Sequence, residues 1–584
     1  MAKDKKVRVA PSIVVPCSYI STESNKTGAW RFLRPRYEEK TSPCSAACPA
    51  GEDIGRIEML ATQGLFKEAW ETILRENPFP GVCGRVCYHP CESVCNRGEF
   101  DEAIAIHTIE RFLADTAARN DFKPVLERLP ARKEKIAVIG SGPGGLAGAY
   151  FLTLLGYACD VFESTPEPGG VLRWGIPSYR LPLSALKNDL SQIESQGVLI
   201  HQGRRITSDT LENMYGIYDG ILLCCGHSAS RSLGIPGEDS EGVRKGLDFL
   251  RRVREGDNPV VEGLSVIIGG GNTAVDVARS VIRLGGKALI AYRRRRQDMP
   301  AFEDEVAMLL DEGVELRELV APIKITEDDG EYILTLGSMR VAGEDTDGRT
   351  RIERDGDTTE EIRVQRVFTA IGEMAAEAWL EPPEQGSDIK ILNNSVMVNR
   401  SDQPAVVFGG DLTAGVKSVV NAVASGKEAA IALDIVFRKG LDSLDEGLAD
   451  CVVGEGPAHS MEIYMRGERF TRNSHIVTYE EINTDYFSFT QGITQPRLLK
   501  DERLSSFEEI DLKISASVAM RESERCFNCG LCNQCDNCYI YCPDMSVVHD
   551  NSINGHHIDF DYCKGCGICV VECPRNAMSL EEEE

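Results

Sequence analysis

The sequence predicts an α/β protein. Its central region alternates strands and helices, a helical Cys-bearing region precedes it, and a small α+β Cys-rich region follows it. Three observations carry this expectation. From about residue 134 to 440, short β-branched runs alternate with Gly-rich turns and helical patterns, as parallel strands joined by helices do. Upstream, stretches such as IGRIEMLATQGLFKEAWETILREN and DEAIAIHTIERFLADTAARN read as helices. The 21 cysteines are clustered: seven run from Cys17 to Cys95 and ten from Cys526 to Cys573, with only Cys159, Cys224, Cys225 and Cys451 between.

At 584 residues the chain has room for roughly three to four domains of about 150 residues. With 64 Lys+Arg against 91 Asp+Glu its formal charge is −27, which argues against nucleic acid or an anionic membrane surface as the main partner. No apolar run approaches the roughly 20 residues of a membrane span. The first residues carry no apolar leader segment, so a cytoplasmic chain is expected. In such a chain an odd, clustered set of cysteines points to metal or iron–sulfur ligation rather than disulfides.

Residues 1–130 form the expected N-terminal helical iron–sulfur domain. PCSAACPAG and GVCGRVCYHPCESVC supply Cys44, Cys48, Cys83, Cys87, Cys91 and Cys95. The spacing Cys87-x3-Cys91-x3-Cys95 sets thiols on successive turns if helical. Zinc is the alternative metal, but the CxxC spacing of structural zinc sites is missing here.

KIAVIGSGPGGLAGAYFLTLLGYACDVFE reads as strand, Gly-rich turn, helix and second strand ending in acid. Gly140 allows the tight turn, Gly142 lets backbone approach a pyrophosphate, and Gly145 lets helix and strand pack closely. Glu163 would hydrogen-bond a ribose hydroxyl. A second unit, LSVIIGGGNTAVDVARSVIRLGGKALIAYRRRR, places Gly269, Gly271 and Ala274 in the same roles. Its second strand ends in Tyr292 and four arginines, Arg293 to Arg296. Guanidinium groups pair with a 2′-phosphate where an acid would repel it, so this unit is expected to prefer NADP(H). Two such units imply one flavin and one nicotinamide exchanging hydride. In VVFGGDLTAGVKSVVNAVASGKEAAIAL, a third turn at Gly410 and Asp411 would meet the flavin's ribityl chain. The helix N-terminus that follows, near Val419, would face the flavin ring. VFTAIGE, ending at Gly372, fits the return from the nicotinamide unit.

Residues 441–520 read as a connector, and 521–584 as a ferredoxin-like domain. Cys532-x2-Cys535-x2-Cys538-x3-Cys542-Pro and Cys563-x2-Cys566-x2-Cys569-x3-Cys573-Pro repeat the two-[4Fe-4S] ferredoxin spacing, in which each fourth thiolate ligates the other cluster. Cys532, Cys535, Cys538 and Cys573 would hold one cluster, and Cys563, Cys566, Cys569 and Cys542 the other. Cys526 and Cys529 add a CxxC just upstream: an extra metal site, alternative ligands, or buried thiols. His556 and His557 are expected to face solvent, and Glu581 to Glu584 to form a solvated, disordered end.

From about residue 40 to 440 the chain resembles the small, flavin-bearing subunit of glutamate synthase and the matching part of dihydropyrimidine dehydrogenase. The resemblance rests on GRVCYHPCESVC, IGSGPGGLAG, GGVLRWGIPSYRLP, GGGNTAVDVAR, YRRRRQDMPA and GGDLTAGVKSVVNAVASGKEAA. It implies an FAD domain at 134–240 and 365–440 with an NADP(H) domain at 241–364 nested inside it. It places flavin-side contacts at Glu163, Gly170 and Arg180, nicotinamide-loop contacts at Gly271, Asn272 and Thr273, and 2′-phosphate contacts at Arg293 and Arg294. It further implies two N-terminal [4Fe-4S] clusters. Cys48, Cys87, Cys91 and Glu110 would ligate one, and Cys44 and Cys95 would belong to the other. The family's upstream CxxC is absent, with Arg36 and Glu39 at those positions, and Cys83 or Cys17 could compensate. One or two N-terminal clusters are therefore expected. At four irons each, about 8 irons per chain would mean the ferredoxin alone, about 12 one further cluster and about 16 two.

These readings converge on an FAD/iron–sulfur oxidoreductase that couples NADP(H) to low-potential clusters. No separate catalytic acid, base or nucleophile is needed, since the cofactors carry the chemistry. The region 140–440 lacks the Cys-x-x-Cys that disulfide-reducing flavoproteins place beside the flavin. Electrons are expected to pass to a partner oxidoreductase. CDNCYIYCPDMSV and IDFDYCKGCGICVVECPRNAMSL resemble the ferredoxin-like subunit of thiamine-diphosphate 2-oxoacid:ferredoxin oxidoreductases, which nominates that partner. The alternatives are a glutamate synthase small subunit and a flavin-based bifurcating subunit.

Overall fold

A computed structural model describes residues 26–257, 259–344, 350–550 and 555–583; Cys17 and Glu584 lie outside them. The centre is a seven-stranded sheet. Its order is Ile389–Ile391, Val396–Val398, Ala405–Phe408, Gly220–Leu223, Lys135–Ile139, Ala158–Phe162 and Leu199–His201. The last five run parallel, and the first two form an antiparallel edge. Strands such as GILL and AVVF are buried along their whole length, as central parallel strands covered on both faces must be.

The chain leaves this sheet after Leu223 and rejoins it at Ile389. Between, it builds a second, all-parallel sheet from Glu315–Glu318, Lys287–Tyr292, Leu264–Ile268, Arg366–Thr369 and Val243–Lys245. One dinucleotide unit is thus nested in the other. A three-stranded antiparallel sheet, Val320–Asp328, Glu331–Glu344 and Thr350–Val364, adjoins the inner unit. Sequence pattern did not single it out, because Thr350–Val364 is a polar strand exposed over most of its length.

In the N-terminal region the helices Ile54–Thr62, Phe66–Leu74 and Ile106–Arg119 share a core of Ile57, Trp70, Ile73, Phe112 and Leu113. Ala519, from the helix Ala516–Glu524, belongs to the same core. The ferredoxin-like end holds two short helices, Asn537–Ile540 and Ile568–Val571, and the hairpin Val547–Asp550 with Gly555–Ile558.

Two expectations are corrected here. The acidic end is ordered: Met578–Glu582 pairs antiparallel with Leu33–Tyr37, Tyr37 opposite Met578 and Leu33 opposite Glu582. Arg36 meets Glu581 at 3.2 Å and Arg31 pairs with Glu583, so opposing arginines hold the strand in place while Glu582 and Glu583 stay exposed to solvent as expected. His556 is buried, its Nε2 2.8 Å from Asp536 Oδ1, while the neighbouring His557 faces outward as expected.

The N-terminal region is locked to the outer unit by a buried ion pair. Lys427, in the helix Val419–Lys439, pairs with Glu76, and both are almost fully buried. The ammonium also donates to the Ala50 carbonyl at 2.5 Å, and Glu76 accepts from the backbone N–H of Met461 at 2.9 Å. Removing one partner strands the other charge in the interior. Lys427→Met should therefore cost about 3–5 kcal/mol, read as a lowered melting temperature. Adding Glu76→Leu should restore part of the loss, and no change in Lys427→Met alone would contradict the pair's structural role.

Candidate functional site

At the first Gly-rich turn, Gly140 has φ +103°, and a Cβ there would lie 2.4 Å from the Cys224 carbonyl oxygen. A Cβ at Gly145 would lie 2.0 Å from the Gly140 carbonyl oxygen. Packing thus demands glycine at both. Gly142 differs: it caps the helix Pro143–Leu154 and has nothing within 4 Å of its Cβ position. The open space lies at a helix N-terminus, where free N–H groups and the helix dipole favour an anion. Gly170 reaches the same place, since a Cβ on it would approach Gly142 Cα at 2.9 Å.

Glu163 lies just past the end of the strand Ala158–Phe162 and is buried. Its Oε2 accepts from Ser141 N at 3.0 Å and Ser141 Oγ at 2.5 Å, and its Oε1 from Thr165 N at 2.7 Å. Burial opposes its charge, but these donors outweigh it and hold the carboxyl below its usual range. Glu163 is thus an ionised group fixed beside the turn.

The inner unit repeats the geometry. A Cβ on Gly269 would strike the Ala370 carbonyl oxygen at 2.1 Å, whereas Gly271, capping Asn272–Arg283, faces open space. Ala274 is buried in the third position. Asn272 Oδ1 accepts from Phe302 N at 3.1 Å, so this side chain pins the neighbouring loop, and Thr273 is half-buried beside it. Arg293 is exposed just past the strand Lys287–Tyr292. Arg294 donates from Nε to the Thr350 carbonyl at 2.7 Å, and Arg295 is paired to Asp298 at 2.9 Å.

In the third turn Gly410, with φ +63°, donates its N–H to Ser425 Oγ at 2.8 Å and also faces open space. Asp411 follows it, half-buried, and Val419 opens the helix that Ser418 caps. Gly372, φ +105°, accepts from Arg231 N at 3.0 Å. Arg180 is engaged within the protein. Its guanidinium is buried against Asp276 at 2.8 Å and Glu305 at 2.8 Å, so its charge joins the outer unit to two inner-unit helices.

The thiols fall into four groups. Cys48, Cys87 and Cys91 lie within one another's electrostatic reach, and Glu110 faces Cys48 and Cys87. Glu110 is buried and accepts from Asn77 Nδ2 at 3.2 Å; burial first, then the Glu52 charge, push it well above the carboxylate range. Cys83 lies behind this group, against Glu110 and Cys87. Tyr88 lies beside Cys87, Cys48 and Cys91, and its ring stacks 6.0 Å from Phe302 of the inner unit. Cys44 and Cys95 face Cys526 and Cys529, and Cys44 also lies within reach of Cys91. At the ferredoxin end a cavity is lined by Cys532, Cys535, Cys538 and Cys573, and another by Cys542, Cys563, Cys566 and Cys569. Each cavity draws its fourth thiol from the other half, and Tyr37 Oη lies 3.1 Å from Cys538 Sγ.

Three family models match. The model described as pyridine nucleotide-disulphide oxidoreductase covers residues 134–426, and a 4Fe-4S binding domain covers 556–579. The model for dihydropyrimidine dehydrogenase domain II, 4Fe-4S cluster, covers 19–122. The chain belongs to the pyridine nucleotide-disulphide oxidoreductase family. Among curated relatives of this oxidoreductase, the NADP(+)-dependent formate dehydrogenase subunit beta of Moorella thermoacetica is 32% identical over 522 residues, 84% of this chain and 70% of that one. The NADPH-Fe(3+) oxidoreductase subunit beta of Geobacter sulfurreducens is 30% identical over 548 residues, 88% of this chain and 78% of that one. The glutamate synthase [NADPH] small chain of Halomonas elongata is 31% identical over 66% of this chain and 86% of that one. Among solved structures, Mycobacterium tuberculosis FprA in complex with NADPH is similar over 54% of this chain and 86% of that chain, at 21% identity and a TM-score of 0.45.

FAD, NADP(H) and [4Fe-4S] clusters are the groups this oxidoreductase takes. Its residues fit them: open helix N-termini at Gly142 and Gly271 suit two pyrophosphates, and thiols converging on shared cavities suit clusters. No helix among the described residues is long and apolar enough to cross a membrane.

Arg293→Ala with Arg294→Ala should weaken NADPH and leave NADH nearly unchanged. A charge-assisted contact contributes about 1.5–3 kcal/mol, so KM for NADPH should rise about tenfold to a hundredfold per arginine. Arg293 should carry the larger share, because Arg294 is already engaged with Thr350. Equal losses for both nucleotides would show the pair to be structural.

Proposed function

We propose that the chain is the NADP(H)-handling, electron-transfer subunit of a larger oxidoreductase. One observation carries the reading furthest. The ferredoxin-like end is built into the body of the protein, through the strand pair Leu33–Tyr37 with Met578–Glu582. An electron carrier fixed this way serves its own flavin unit rather than diffusing to others.

The reading gives the chain's residues the following roles. Gly142 and Gly170 leave room for one pyrophosphate and Glu163 offers a fixed carboxylate for its ribose. Gly271 leaves room for the other, and Arg293 reads its 2′-phosphate. Cys48, Cys87 and Cys91, with Glu110 as fourth ligand, hold the N-terminal cluster on the side facing the inner unit. The two ferredoxin cavities hold one cluster each. When bound, FAD converts between the two-electron chemistry of nicotinamide and the one-electron chemistry of clusters.

The partner meets the ferredoxin end, where Ile540, Met545 and Val571 are 65%, 82% and 69% exposed beside the two cavities. These exposed apolar side chains are the surface that the reading assigns to the partner. The flanking residues there resemble a 2-oxoacid:ferredoxin oxidoreductase subunit, which makes a thiamine-diphosphate enzyme the partner of this reading. The name of one relative, the NADP(+)-dependent formate dehydrogenase subunit beta, supports a second, a formate dehydrogenase. A glutamate synthase partner is disfavoured, because its small chain matches only 66% of this chain.

Two measurements test the proposal. The flavin-loaded protein should reduce a dye with NADPH, and absence of dye reduction sinks the reading. Ile540→Glu with Val571→Glu should cut anaerobic co-purification of the partner at least tenfold while dye reduction persists. Capture of a thiamine-diphosphate enzyme, with 2-oxoacid-dependent NADP reduction, supports the first partner; capture of a formate dehydrogenase replaces it with the second.

A further inference from the structure

We propose that Cys44, Cys95, Cys526 and Cys529 form a four-thiolate site for a further [4Fe-4S] cluster, its ligands drawn from both ends of the chain. The inference stands apart from the identity of the partner and concerns residues that the ferredoxin spacing does not use.

Backbone contacts bring the two ends together. The helix Ala516–Glu524 packs on Ile54–Thr62, and Glu522 Oε1 accepts from Ala105 N at 3.0 Å. Arg97 Nη1 donates to the Arg525 carbonyl at 3.0 Å, and Asn528 Nδ2 to the Gly55 carbonyl at 3.0 Å. Lys40 N donates to the Gly530 carbonyl at 2.9 Å. The turn that carries Cys526 and Cys529 is therefore held from both sides by the region that carries Cys44 and Cys95. Asn96, next to Cys95 in the chain, places its Nδ2 3.4 Å from Cys529 Sγ. Cys526 packs on the same core as Cys44, Cys48 and Cys91.

The four thiols face one another in every pairing. Cys44 and Cys529 are buried, and Cys95 and Cys526 are half-buried. Four thiols converging at the edge of a core without a cation is a poor way to fill it, whereas four thiolates around a cubane cluster is the ordinary ligand set. The pairing also accounts for two oddities at once. Arg36 and Glu39 stand where an upstream CxxC would be, and the CxxC at 526 and 529 has no place in the ferredoxin repeat. The second supplies what the first lacks. The site lies between two others: Cys44 reaches Cys91 of the N-terminal group, and Arg575 lies among Cys526, Cys529, Cys535 and Cys573.

Iron and acid-labile sulfide, measured on the full chain purified without oxygen, test the site. The unmutated protein should hold about 16 irons per chain and Cys526→Ser with Cys529→Ser about 12, at four irons per cluster, with flavin content unchanged. Cys44→Ser with Cys95→Ser should lose the same four irons, and combining the two pairs should lose no more. Iron unchanged in the first pair, or a zinc ion in place of the four irons, overturns the proposal. If the variants do not fold, alkylation of the native protein decides. Cys44, Cys95, Cys526 and Cys529 should be protected together and become labelled together as iron is removed, while labelling of Cys526 and Cys529 before any iron is lost overturns the site.

Discussion

The molecule depends on a buried ion pair that few positions could host. Lys427 and Glu76 meet where three segments cross: the N-terminal helices, the long helix of the outer dinucleotide unit, and the chain around Ser460. Backbone groups, the Ser460 hydroxyl and the buried guanidinium of Arg469, 3.7 Å from Glu76, surround the pair and help offset its desolvation. The pair acts beyond itself. Ala50, which accepts from Lys427, is two residues past Cys48, and Gly426 lies against Gly144 of the first Gly-rich turn. One ammonium therefore sets where an N-terminal thiol sits relative to the first dinucleotide cleft.

A second set of charges does the same for the chain's far end. Arg97 pairs with Asp101 and donates to the Arg525 carbonyl, while Arg525 pairs with Glu522 at 2.7 Å and Asp101 at 3.1 Å. These side chains are nearly all buried. The connector read from residues 441–520 is thus threaded across the N-terminal helices, and the segment after it is delivered to the N-terminal thiols. Arg180 plays a similar part between the two dinucleotide units, where its guanidinium pairs with Asp276 and Glu305.

What the sequence made legible was local. The roles of Gly140, Gly142 and Gly145 follow from backbone needs within one strand–turn–helix, and the structure adds only which of them face packing and which face space. The ferredoxin pattern was legible for the same reason, since its fourth-ligand exchange is encoded in spacing alone. The nested order of the two units came from the resemblance. What stayed hidden depends on residues far apart in the chain. Glu581 looks like a solvated end until Arg36 lies across from it, and His556 looks exposed until Asp536 meets it. The polar strand Thr350–Val364 carries no alternation to mark it, because one face packs little against anything. Cys526 and Cys529 were visible as a leftover pair, but their neighbours are more than four hundred positions away.

The central claim is that NADPH feeds the iron–sulfur sites of this same chain through its flavin. The most direct measurement is an anaerobic titration with NADPH, under conditions that remove NADP as it forms, counting electrons taken up per bound flavin. The account predicts uptake beyond the two electrons that a flavin stores, with loss of iron–sulfur absorbance alongside the flavin band. Uptake that stops at two electrons, with the iron–sulfur absorbance unchanged in a protein carrying its full iron, would contradict it.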